Sequence, residues 1–105
     1  MRCSIHDVAL LPIPFTDLSS NKVRPAVVIG LGSYPGDLFV VPITSQLVNA
    51  DFALSDWRFA GLNVPCGIKG QICTVEDRLV RKIVGRLCPA DQSTLVGCLR
   101  RWLRL

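Results

Sequence analysis

Short apolar runs, closed by proline, glycine or polar residues, recur throughout the first 87 residues of this 105-residue chain. Several of them are rich in β-branched residues, which favour strands. The runs cover residues 7–11, 24–31, 38–43, 51–54, 71–75 and 79–87. Strands this short, separated by turns, are typical of a small all-β barrel or sandwich.

The last part of the chain changes from a strand pattern to a helical one. Pro89 suits the first turn of a helix, and Asp91 places a negative charge near its positive end. The apolar residues that then recur at helical spacing are Leu95, Cys98, Leu99, Trp102 and Leu103. We expect this helix to pack on the barrel. Because the stripe is broad for so small a barrel, we also expect part of it to meet a second subunit.

Composition narrows the classes of protein that this chain can form. Its length suits one domain, residues 1–105, and half of its residues are hydrophobic. Five cysteines without a Cys-x-x-Cys pair predict reduced thiols rather than a disulfide framework or a zinc ribbon. No run is long enough for a membrane span or placed as a signal peptide, so a cytoplasmic location is expected. The net charge of +4 suits a polyanionic or acidic partner.

Arg24 and Thr44 form the strongest candidate site. If the second and third strands form an antiparallel hairpin, the start of one lies beside the end of the other. That arrangement brings Arg24 next to Thr44 and Ser45, a fixed cation beside two hydroxyls. A surface charge at a strand start and a turn-forming hydroxyl are the alternative interpretation of the same residues. The acidic residues are scattered and there is one histidine, so no metal site or cofactor is predicted.

The segment between the first two strands is predicted to be a loop. Residues 12–22 contain two prolines, two serines and an asparagine, which disfavour regular structure. Phe15 and Lys22 lie on this segment. It could close over a site or grip an extended ligand, or it could be a hairpin connection with Phe15 folded onto the core.

Several ordered motifs together resemble a known family. They are PIPFTDLS at 12–19, KVRPAVVI at 22–29, VPITS at 41–45, LSDW at 54–57, AGL at 60–62 and KIVGRL at 82–87. In this order they resemble the PemK/MazF toxins of type II toxin–antitoxin systems, over most of the chain from Asp7 to about Leu87. Four positions depart from the pattern. His6 stands where many relatives have glycine, Cys66 stands where serine is common, and Gly67 and Gly70 would loosen a region that is usually β-like.

The resemblance implies a mainly β fold, a small SH3-like (CcdB/PemK-like) antiparallel barrel with a C-terminal α-helix. It further implies a homodimer, a cognate antitoxin, and operator DNA bound only through that antitoxin. The activity would be a sequence-specific, metal-independent endoribonuclease that cleaves single-stranded RNA or mRNA by 2′-OH attack and leaves a 5′-hydroxyl.

The same resemblance suggests roles for individual residues. Arg24 and Thr44 match the catalytic arginine and hydroxyl residue, and Ser45 is placed beside them. The predicted RNA-binding residues are Phe15, Thr16, Asp17, Ser19, Ser20, Asn21, Lys22, Gln46 and Lys69. Two other functions stay open. One is a CcdB-type DNA-gyrase poison of the same fold, for which Trp102 near the C-terminus is the argument. The other is an inactive toxin-like module that represses its own operon with an antitoxin.

Overall fold

The structure is a computed structural model that describes residues 2–12 and 22–105. Its elements in chain order are β1 (Asp7–Pro12), β2 (Val23–Leu31), β3 (Asp37–Thr44), β4 (Phe52–Ala53), β5 (Gly67–Ile68), β6 (Cys73–Glu76), β7 (Lys82–Arg86) and α1 (Pro89–Leu103). Two short 3₁₀ turns cover Leu47–Asn49 and Asp77–Leu79. Six predicted RNA-binding residues lie outside the described residues: Phe15, Thr16, Asp17, Ser19, Ser20 and Asn21.

The described strands form one antiparallel sheet around β1, β2 and β3. The order along the sheet is β4-β5-β3-β2-β1-β7. The far edge of β3 is shared by two partners, because β6 pairs with its first half and β5 with its last two residues. The predicted antiparallel β architecture with one C-terminal helix is therefore confirmed for the described residues.

Both faces of the three central strands are buried, which explains why their sequences are apolar without alternation. Val8, Val27 and Val41 lie in one core cluster, which Leu95 of α1 completes. Their neighbours along the strands point to the other face and form a second cluster with β6 and with the chain just before β7. That second cluster contains Ala9, Leu11, Ala26, Val28, Leu38, Val40, Val75 and Val80.

The strand predictions are correct to within one or two residues for β1, β2, β3, β4 and β6. The last predicted strand is too long, and β5 was not predicted. The predicted strand at 79–87 is shortened to Lys82–Arg86. The chain before it forms a 3₁₀ turn, in which Asp77 donates its N–H to the Gly36 carbonyl at 2.7 Å and Val80 donates to Asp77 at 3.0 Å. The turn bonds replace the ladder bonds that a longer strand would need.

The prediction that Gly67 loosens the chain is wrong, whereas Gly70 lies outside the strands of the described residues. Gly67 begins β5 and is paired with Thr44 on one side and Ala53 on the other. A Cβ at Gly67 would lie 2.5 Å from the Cβ of Ala50 and 2.6 Å from the carbonyl oxygen of Phe52, so only glycine allows β5 to approach β4 and the preceding turn this closely. The stretch is thus a tightly packed two-residue strand that the sequence pattern did not reveal.

Helix α1 agrees with its prediction and uses most of its apolar stripe inside the chain. Leu95 and Cys98 are buried, and Leu99 and Trp102 pack against the first core cluster. Leu103 is the member of the stripe that remains about half exposed. Within the described ranges, no helix is long and apolar enough to cross a membrane.

The backbone at His6 has a conformation that is usual for glycine. Its backbone φ is +77°, in the left-handed region that glycine adopts without strain. The conformation is held by neighbouring strands, because His6 donates its N–H to the Val28 carbonyl at 2.7 Å and accepts from Leu87 at 3.1 Å. A glycine at this position would form the same turn into β1 without strain.

Candidate functional site

A groove of about 650 Å³ opens at one end of the central strands. Its walls come from the start of β2, the end of β3 and two loops that follow. The lining residues are Leu10, Arg24, Pro25, Pro42, Ile43, Thr44, Ser45, Gln46, Asn49, Gly61, Leu62, Asn63, Val64, Cys66, Lys69, Gln71 and Val84. Its volume lies within the range that accommodates small-molecule-sized groups.

Arg24 and Thr44 lie in this groove as the hairpin argument predicts. Strands β2 and β3 pair antiparallel with Ala26 opposite Pro42, and Arg24 and Thr44 are two residues further along their strands. Arg24 is exposed and Thr44 is half-buried. The sheet register thus brings a fixed cation and a hydroxyl to the same groove.

The Thr44 hydroxyl is oriented by the chain that follows it. The backbone N–H of Gln46 donates to Thr44 Oγ1 at 3.0 Å. Because a lone pair of that oxygen is occupied, the hydroxyl proton remains available to an acceptor. The amide oxygen of Gln46 itself accepts a bond from Asn49 Nδ2 at 2.9 Å, which leaves the Gln46 side-chain NH₂ as a donor. Ser45 is exposed between them.

Lys69 follows directly after β5, and its backbone adds one more hydrogen bond to the pairing with β3, which places it at the groove. Its N–H donates to the carbonyl of Pro42 at 3.0 Å, beside the end of β3. Among the described residues, the groove lining therefore contains two cations, Arg24 and Lys69, and no carboxylate. Such a surface favours an anionic ligand that carries several phosphates. Lys22 is exposed just before β2 and is not among the residues that line the groove.

Cys66 does not supply a nucleophile to the groove. It is buried, and burial raises the pKa of its thiol. The thiol donates to the Val64 carbonyl at 3.2 Å. A protonated, hydrogen-bonded thiol is a filler of the wall rather than a reactive group. In the chain ranges that the structure describes, no three His, Cys, Asp or Glu side chains come together as a metal site.

Three polar residues of the groove are not among the site residues predicted from sequence: Asn49, Asn63 and Gln71. Asn63 follows Gly61, whose φ is +88° and whose Cβ would lie 2.2 Å from the Val84 carbonyl oxygen. The AGL motif therefore marks a loop that packs tightly on β7. In the sequence, the glycine of the AGL motif is the signal that could have indicated this tightly packed wall of the site.

Fold and groove together define a small antiparallel β domain with a cationic groove and a closing helix. Among solved structures with this fold is an endoribonuclease from a mycobacterial species in complex with its cognate antitoxin. The TM-score is 0.70, with 15% sequence identity, over 100% of this chain and 97% of that chain. No family model matches the chain, and no curated protein matches it in sequence. The comparison establishes the fold, and it is the fold that the sequence resemblance implied.

Proposed function

We propose that this chain is a metal-independent endoribonuclease that cuts single-stranded RNA at short specific sequences. The observation that carries the proposal is the meeting of Arg24 and Thr44 in one groove, whose described lining also contains Lys69 and no carboxylate. The shared fold supports it, because the neighbour of known structure is described as an endoribonuclease. A polyanion with an attackable phosphate is the ligand that this groove suits best.

The proposed reaction begins with attack of a ribose 2′-OH on the adjacent phosphorus. The bond from phosphorus to the 5′-oxygen breaks, leaving a cyclic phosphate on one product and a 5′-hydroxyl on the other. The 2′-proton passes to water, and the leaving oxygen takes a proton from water. Negative charge grows on the phosphate oxygens in the transition state, so the groove must supply hydrogen-bond donors aimed at them.

Arg24 supplies the fixed charge in this scheme. A guanidinium group stays protonated in proteins, so Arg24 stabilises the negative phosphate instead of acting as a base. Thr44 donates its hydroxyl proton to a phosphate oxygen, which is consistent with the bond that Gln46 makes to Oγ1. Ser45, beside Thr44, is the proposed third member of the catalytic group.

RNA binding is assigned to the rest of the groove. Lys69 contacts a backbone phosphate, and the side-chain NH₂ of Gln46 contacts RNA from the other wall. The segment from Phe15 to Lys22, which precedes β2, is proposed to border the bound strand. A cognate antitoxin would inhibit the protein by covering this groove, and the active form would be a homodimer.

The gyrase-poison alternative rests on Trp102, and the structure gives that residue another role. Trp102 is half-buried against the first core cluster. Its ring also lies beside Gly70, because a Cβ there would be 3.0 Å from Trp102 Cζ2. Packing therefore accounts for Trp102, and no feature of the described residues favours gyrase over RNA.

The test is cleavage of a long single-stranded RNA by purified protein in EDTA. We expect cutting that leaves 5′-hydroxyl ends, detected by direct labelling with a polynucleotide kinase. Arg24→Ala and Thr44→Ala should each lower the rate at least about 10²-fold, because each removes a donor to the transition state. Matched controls are Arg78→Ala and Thr74→Ala, which replace exposed residues outside the groove.

Two results would contradict the proposal. If both groove variants are folded and cut at the wild-type rate, the site is wrongly placed. If the wild-type protein leaves RNA whole but stalls gyrase on DNA, the gyrase function replaces the ribonuclease. Circular dichroism of each variant checks that the fold is kept.

A further inference from the structure

Asp51 holds the turn that carries Lys69, although Asp51 does not line the groove. Its backbone N–H donates to the Ile68 carbonyl at 2.8 Å. Its carboxylate Oδ2 accepts the N–H of Gly70 at 2.6 Å. Lys69 lies between Ile68 and Gly70, and it donates its own N–H to the Pro42 carbonyl at 3.0 Å. The backbone is therefore fixed on both sides of the lysine.

Trp102 packs behind the same turn. A Cβ built on Gly70 would lie 3.0 Å from Trp102 Cζ2 and 3.2 Å from Asp51 Oδ2. Glycine at this position thus lets the indole ring and the carboxylate both approach the backbone. Trp102 is itself packed on the first core cluster, so the turn rests on the interior of the protein.

We propose that Asp51 is a positioning residue for the groove, an inference that rests on the proposed ribonuclease function. Its carboxylate fixes the Gly70 N–H, and this bond sets the direction in which Lys69 and Gln71 enter the groove. A charged acceptor gives a stronger bond to a backbone N–H than a neutral one. Because Asp51 lies outside the groove lining, its negative charge strengthens the bond to the Gly70 N–H without facing the RNA phosphates.

The experiment measures how salt affects RNA binding by a set of variants. A labelled single-stranded RNA of mixed sequence is titrated by fluorescence anisotropy, in a Thr44→Ala background that keeps the RNA whole. The variants are Asp51→Ala, Asp51→Asn, Lys69→Ala and the double variant Asp51→Ala/Lys69→Ala. Glu76→Gln is the matched control, because it removes an exposed carboxylate from the end of β6, outside the groove.

We expect Asp51→Ala to weaken RNA binding roughly tenfold. The salt slope, which is the steepness with which the logarithm of the binding constant falls with the logarithm of salt concentration, should decrease by about 0.7, the loss of one phosphate contact. Lys69→Ala should give the same slope, and the double variant should lose nothing further. Asp51→Asn should restore most of the binding, because its amide oxygen can still accept from Gly70. With Thr44 intact, Asp51→Ala should raise KM and leave kcat nearly unchanged.

Amide hydrogen exchange of Gly70 gives a second measurement that needs no RNA. The Gly70 N–H should lose protection in Asp51→Ala and keep it in Asp51→Asn. The inference is overturned if Asp51→Ala keeps the wild-type salt slope, if the Gly70 amide stays protected, or if the two alanine effects simply add. Failure of the ribonuclease function is distinguishable, because the protein without any Asp51 change would then neither bind nor cut RNA.

Discussion

Asp91 should contribute a large part of the stability of this domain, and Asp91→Asn tests that contribution. Among the described residues it is the buried charged side chain, 3% exposed. Its carboxylate accepts bonds from the Ser55 N–H at 2.9 Å, the Ser55 hydroxyl at 2.9 Å and the Asp56 N–H at 3.2 Å. The Cys88 thiol donates to it at 3.3 Å. The start of α1 is thus joined to the chain after β4.

The expected loss follows from the donors that asparagine cannot satisfy. The amide oxygen of the substituted side chain could still accept from Ser55, but its NH₂ group would face the N–H of Asp56. An unsatisfied buried donor costs about 1–3 kcal/mol. Loss of charge on the remaining bonds and of the favourable helix-end interaction adds about 1 kcal/mol. We therefore expect destabilisation of about 2–4 kcal/mol, against a total of about 5–15 kcal/mol for a domain of this kind.

The loss of stability in Asp91→Asn should depend on pH, which distinguishes a charged Asp91 from a neutral one. Burial alone would raise the pKa of Asp91, but the bonds from Ser55, Asp56 and Cys88 outweigh it and lower the pKa. A carboxyl with a lowered folded-state pKa stabilises the protein above its unfolded-state pKa. That stabilisation is lost as the pH falls through the folded-state value. The wild-type protein and Asp91→Asn should therefore differ most near neutral pH and converge below about pH 4.

Urea unfolding over a pH series measures this difference directly. Glu76→Gln is the control, because Glu76 is an exposed partner of Arg78 in a surface pair that contributes at most about 1 kcal/mol. A loss below about 1 kcal/mol for Asp91→Asn at neutral pH would refute the account. So would a difference between the two proteins that stays constant as the carboxyl becomes protonated.

Two further predictions concern the N-terminal turn and assembly. His6→Gly should stabilise the protein by about 0.5–1 kcal/mol in urea unfolding, because glycine relieves the strain of a positive φ. Burial, and then the charge of Arg86, lower the pKa of His6. The gain in stability should therefore be larger near pH 5 than near pH 8. The same gain at both pH values, or a loss of stability at both, would contradict this prediction. Sedimentation at micromolar concentration should show a dimer, and a strictly monomeric species would contradict the predicted contact at the partly exposed Leu103.

The central hairpin could be predicted from sequence because local rules decide it. Its strands are apolar runs joined by a short turn, and antiparallel pairing then fixes which ends meet. Arg24 and Thr44 follow from that register without any knowledge of the remaining chain. The start of α1 was equally visible, since Pro89 and Asp91 act within the first turn.

The wall of the groove next to β5 could not be predicted in the same way, because its position depends on contacts between distant parts of the chain. Strand β5 has two residues, and its position depends on pairing with β3 and β4 at once. Gly67 looks like a loosening residue until the Cβ of Ala50 is seen beside it. The partners of Asp91 were hidden for the same reason, because Ser55 lies 36 residues away in sequence.

Helix α1 contributes no residue to the described lining of the groove, yet its two ends contact the chain segments that lead to it. At its N-terminus, Asp91 binds Ser55 and Asp56, at the start of the loop that continues to the lining residue Asn63. Near its C-terminus, Trp102 supports Gly70 beside Lys69. Because both contacts are specific and one of them is charged, loosening of the helix should alter the groove before the central strands separate. We therefore expect substitutions at either end of α1 to affect the proposed function through these two contacts.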